Sequence, residues 1–122
     1  MTGLAPLHEA RKAYRWTSAL ADTLVDVRRR FDGDLDQYLL YMTVVQAEVE
    51  RTVRQSPAPA GLNALSLAES CGLARETART KLRRMTEAGL LALGEDSLLR
   101  LPDPAAACRE YGALEPIAGP GR

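Results

Sequence analysis

Apolar positions recur at helical spacing along most of this chain. From about Leu7 to Phe31, the residues Ala10, Ala13, Thr17, Leu20, Leu24, Val27 and Phe31 alternate steps of three and four. That spacing predicts a long helix with a narrow apolar seam. Asp32-Gly33 breaks it. A second helix starts with Asp34 as N-cap and Gln37 three positions on, a capping-box pair, and runs to about Arg54. Leu35, Tyr38, Leu39, Met42, Val45, Val49 and Val53 line one face, and Leu40, Tyr41 and Val44 widen the stripe toward a second side. Two helices this long carry more apolar surface than one small domain can bury.

Beyond them the pattern shortens. Ser56-Pro57-Ala58-Pro59-Ala60-Gly61 reads as a loop, because two prolines and a glycine cannot continue a helix. Ser66 reads as the cap of a short helix, with Glu69 completing a second capping box. Gly72 supplies a turn, and a longer helix covers about Ala74 to Ala88 before Gly89 stops it in a left-handed conformation. Leu90–Leu93 and Leu98–Leu101 predict short strands joined by Gly94-Glu95-Asp96-Ser97, hence a hairpin. Asp103-Pro104 opens a last helix through about Tyr111. The expected class is mainly α with a small β-hairpin.

Charge changes the picture locally. The formal net charge is zero, so the whole molecule is no general polyanion binder. Residues 31–50 hold five acids and no base, whereas 75–84 hold five bases (Arg75, Arg79, Lys81, Arg83, Arg84) against Glu76, a net +4. Local field steers a protein to phosphates. In the basic helix, Ala78, Leu82 and Met85 share one side and should pack on Leu65, Leu67, Ala68 and the hairpin leucines. Arg75, Glu76, Thr77, Arg79, Thr80 and Arg83 then face outward, and Lys81, Arg84 and Ser66 complete the candidate DNA-contacting set. Arg donates bidentate pairs to guanine, and Thr contacts bases or phosphates. Short helix, tight turn, basic helix and hairpin, in that order, are the signature of a winged helix-turn-helix, here with two long N-terminal helices.

The segment GLARETARTKLRRMTEAGLL resembles the DNA-reading helix and first wing strand of bacterial winged helix-turn-helix regulators of the multiple-antibiotic-resistance (MarR) and GntR classes. The matching positions are Gly72-Leu73, Arg75, Thr77, Leu82 and Gly89-Leu90, within a resemblance that covers about residues 62–101. Ala74 departs from it where the family often starts the helix with Ser or Pro, and Glu95-Asp96 replaces a basic wing tip. The resemblance implies a homodimeric transcriptional regulator that reads double-stranded DNA with residues 74–88 in the major groove. Flanking helices would pair the subunits. The expected division is 1–56 for helical dimerisation, 57–112 for DNA binding and 113–122 as a flexible tail. The dimer surface expected from the first helix is Ala13, Trp16, Thr17, Leu20, Leu24, Val27 and Phe31.

Other chemistries find little support. With 122 residues the chain allows one domain. Cys71 and Cys108 match no metal spacing or disulfide framework, and His8 has no partner for a metal or a nucleophile. Asp32, Asp34 and Asp36 mimic the start of a calcium loop, but Gln37 replaces its glycine and Thr43 its bidentate acid. There is no phosphate-binding loop or dinucleotide fingerprint. The expectation is a non-enzymatic protein without cofactor or metal. The absence of a signal, lipidation motif or long apolar run points to a cytoplasmic, nucleoid-associated protein. Two rivals remain: a winged helix used for protein contact, and a regulator responding to a small molecule or to oxidation at Cys71. The effector of such a regulator is unknown.

Overall fold

The computed structural model describes residues 6–112, so the expected tail at 113–122 lies outside it. Over these residues the chain is mainly helical with one two-stranded hairpin. Its order is α1 (Leu7–Arg30), α2 (Leu35–Val53), α3 (Ala64–Cys71), α4 (Arg75–Glu87), β1 (Ala92–Leu93), β2 (Leu99–Arg100) and α5 (Pro104–Gly112). No helix of the described residues is long and apolar enough to cross a membrane.

The turn between the long helices follows from backbone chemistry. Asp32 and Gly33 both take positive φ (53° and 76°), which ends α1 and reverses the chain. Asp34 then caps α2, its Oδ1 accepting from the Gln37 N–H at 3.0 Å. Later in the chain Asp103 does the same for α5, accepting from the Ala106 N–H at 3.1 Å.

The face that α2 buries is shifted from the expected one, of which Val45 is buried and Tyr38 and Met42 are half-buried against the core. Leu40, Tyr41, Val44, Val45 and Glu48 are buried, whereas Leu35, Leu39, Val49 and Val53 are exposed. The stripe read as secondary is the core stripe, because α3, α4 and α5 all pack on that side of α2. Periodicity finds both stripes but does not say which one meets the body. Glu48 is tolerated inside because Arg51 grips both carboxylate oxygens, at 3.1 and 2.9 Å. Leu67 of α3, Met85 of α4, Leu91 and Leu99 close the core from the other side.

Correction also falls on α1. Val27 (5% exposed) and Phe31 (3%) belong to the chain's own core, so neither is available to a dimer seam. Phe31 stands edge-on to Tyr38, with ring centroids 5.5 Å apart at 79°. Arg30 beside it bridges α1 to α5, donating to Asp26, Glu110 and the Tyr111 hydroxyl at 3.0–3.3 Å. Its guanidinium also lies 5.3 Å from the Tyr41 ring centre. α1 is held at this end. Ala13, Trp16, Thr17, Leu20 and Leu24 remain exposed.

Candidate nucleic-acid interface

The site is assembled from α3, α4 and the hairpin. Gly72 ends α3 in the left-handed region (φ 67°), and the Leu73 N–H returns to the Ala68 carbonyl at 2.9 Å. Within three residues the chain has turned and started α4. On α4 the buried residues are Ala78, Leu82 and Met85, as expected from the spacing. Leu65, expected to join them, keeps nearly half of its surface exposed, while its neighbours Leu67 and Ala68 are buried. α3 is eight residues long, so only one side of its two turns reaches α4.

With one face of α4 fixed in the core, its opposite face is fixed in space. Arg75, Glu76, Thr77, Arg79, Arg83 and Arg84 are exposed there, and Thr80 is half-buried. Arg79 reaches back to Glu76 at 2.9 Å, but both side chains keep at least two thirds of their surface in water. Such a pair contributes little and exchanges readily for another anion. Arg79 and Arg83 also stand at the rim of a groove of about 290 Å³ between α4 and the hairpin, floored by Leu82, Leu93 and Leu99. Arg84 lies on the other flank of the helix, beside Thr77 and Thr80.

Lys81 does not belong to this set. Its Nζ lies 2.6 Å from Asp34 Oδ2, and both side chains are three-quarters or more buried. Burial opposes the Asp34 charge, yet the Lys81 ammonium and the Gln37 N–H outweigh it and hold the carboxyl below its ordinary range. Lys81 therefore ties α4 to the first turn of α2. Cancelling its charge lowers the free local charge of residues 75–84 from +4 to +3.

Ser66 is corrected as well. Asn63 caps α3, its Oδ1 accepting from the Ser66 N–H at 2.8 Å, so Ser66 lies inside the first turn and Glu69 mid-helix. Asn is as good an N-cap as Ser, so an Asn three residues earlier was the overlooked signal. Ala74, in contrast, starts α4 without a side-chain hydrogen bond. The first N–H groups of α4 are left without a capping side chain, at the end where a helix attracts anions.

The hairpin is shorter and more firmly held than its sequence implies. Ala92 pairs with Arg100 and Leu93 with Leu99. Leu62 adds a third backbone segment, exchanging hydrogen bonds with Leu99 at 2.9 and 2.7 Å. Gly61 allows this approach, since a Cβ there would sit 2.8 Å from the Leu99 carbonyl oxygen. Arg100 then locks the tip, donating to the Ala60 carbonyl and to Asp96. Hydrogen bonds from Arg100 and the Leu98 N–H hold the Asp96 carboxyl below its usual range. Of the two acids at the tip, Glu95 alone is left without an ion pair among the described residues. Cys71 is half-buried, its Sγ 3.4 Å from Thr43 Oγ1. No protein-family model, curated protein or solved structure matches the chain.

Proposed function

We propose that the chain is a winged helix-turn-helix transcriptional regulator that binds double-stranded DNA with α4 in the major groove. One observation carries this reading. Arg75, Arg79, Arg83 and Arg84 are exposed on a helix whose other face, Ala78, Leu82 and Met85, is anchored in the core. An α-helix fits the roughly 12 Å major groove, and arginines at its exposed face contact phosphates and guanine edges. The uncapped start of α4 supplies further phosphate donors. Lys81 has a structural part, and Ser66 and Thr80 lie at the margin.

The regulator acts as a homodimer through the apolar surface left open on its long helices. Two reading helices then sit about 34 Å apart on one face of the duplex, and the operator is an inverted repeat. The test is fluorescence anisotropy with random and selected duplexes across a salt series. Neutralising roughly three or four phosphates per subunit predicts that log K falls with log salt at a slope of roughly −5 to −7. Absence of binding at low salt would defeat the proposal. It would favour the second reading, a protein-contact module, which the exposed Glu95 at the hairpin tip supports.

A further inference from the structure

The first half of α1 stands clear of the body. Every residue from Pro6 to Thr17 is exposed, and full burial on this helix begins at Ala19. A helix of three turns is marginal in water by itself, and Tyr14, Trp16 and Thr17 are indifferent helix formers. At about 100° per residue, Leu7, Ala10, Ala13, Tyr14, Thr17, Leu20, Ala21 and Leu24 share one side. None of the eight is charged and all are exposed, Leu20 at 55% and Leu24 at 54%. Arg11, Lys12, Arg15, Asp22 and Asp26 lie around the rest of the helix, and Ala19 and Val27 are its buried positions.

We infer that this face is covered by α1 of a second copy, running antiparallel about a two-fold axis between Ser18 and Ala19. The inference rests on the dimeric reading above and adds the direction and register in which the two copies of α1 meet. Direction follows from which half is held. α1 is fastened to the body near Val27, Arg30 and Phe31. Antiparallel pairing lays each free half on the partner's held half, whereas parallel pairing lays one free half on another. Register follows from side-chain size. About that axis, Ala13 faces the partner's Leu24 and Thr17 faces the partner's Leu20, so that each of the two exposed leucines meets a small residue. A slip of one heptad sets Ala13 on Thr17 and leaves a void. The opposite slip sets Leu20 on Leu24, a large residue on a large one. Covering the face removes on the order of 500 Å² per subunit, close to the lower limit for a specific interface.

Disulfide trapping decides the register. In a background carrying Cys71→Ala and Cys108→Ala, chains with Ala13→Cys and chains with Leu24→Cys are co-expressed with different tags and oxidised mildly. Mixed covalent dimers should form, in up to about half of the chains, and neither variant should link when expressed alone. Linkage within either variant alone means parallel pairing and overturns the inference. So does linkage of Ala13→Cys with Thr17→Cys, or of Leu20→Cys with Leu24→Cys, in the same format. A protein that light scattering finds dimeric but that gives no 13–24 linkage overturns it too. A wild-type protein that stays monomeric at tens of micromolar defeats the dimeric reading itself.

Discussion

Helices α1 and α4 are both amphipathic, and the body treats them oppositely. α4 buries its apolar face completely and shows water a row of arginines. α1 buries one side of its second half, from Ala19 on, and shows water leucines, a tyrosine and alanines. An exposed charged face is stable as it stands and needs an explanation only in function. An exposed uncharged face on a free-standing helix needs a partner to remain helical. On the proposed reading the two faces take different ligands: a polyanion at α4 and an apolar helix at α1.

The sharpest way to break this contrast is to truncate a leucine on each helix. Leu82→Ala opens a cavity in a filled core and should destabilise the chain by about 2–5 kcal/mol in a urea melt. Leu20→Ala exposes no core and should change the melt of dilute, monomeric protein by less than about 0.5 kcal/mol. Equal losses at the two positions would mean that α1 is packed on the body after all.

Changes of charge come next. Leu20→Lys with Leu24→Lys places two ammonium groups in the proposed seam, where neither finds an acid. Light scattering should show a monomer, and gel shifts a loss of specific affinity without loss of fold. On α4 the corresponding change is Arg75→Ala with Arg79→Ala. Removing an arginine from a base edge costs about 1–3 kcal/mol of binding, while the melt stays within about 0.5 kcal/mol. Wild-type DNA affinity in that double variant would remove α4 from the interface.

Legibility in the sequence depended on range. The helix boundaries other than the start of α3, together with Gly72, Gly89 and the buried trio Ala78, Leu82 and Met85, follow from local chemistry. Pairings between distant elements were not readable. Lys81 looks like one more base of a basic helix until α2 brings Asp34 to it across 47 positions. Val27 and Phe31 continue the α1 seam in sequence, yet the bend at Asp32-Gly33 turns them into the core. Leu62 sits in an apparent loop, and its pairing with Leu99 depends on the fold of the intervening helices. The Ser66–Glu69 spacing fits a capping box, yet the cap is Asn63, whose Oδ1 accepts from the Ser66 N–H.

The smallest effect isolates Lys81 from its neighbours on α4. Lys81→Met keeps the aliphatic stem and removes the charge facing Asp34, so it should cost roughly 1–2 kcal/mol of stability at pH 7, toward the lower end for a hydrogen bond to a charged group. The pH dependence fixes the cause. Asp34 has a folded-state pKa below its unfolded value of about 3.9. Its contribution is therefore complete above that value and is lost as pH falls through the folded pKa. The gap between wild type and Lys81→Met should hold steady from pH 7 down to about pH 5, then narrow and close once the carboxyl is protonated in both states. DNA binding should respond the other way. Lys81→Met should leave the salt slope unchanged, whereas Arg84→Met should lower its magnitude by about one for each phosphate that the arginine neutralises. A Lys81→Met variant with full stability and a reduced salt slope would return Lys81 to the exposed face, and α4 would present five basic side chains to DNA instead of four.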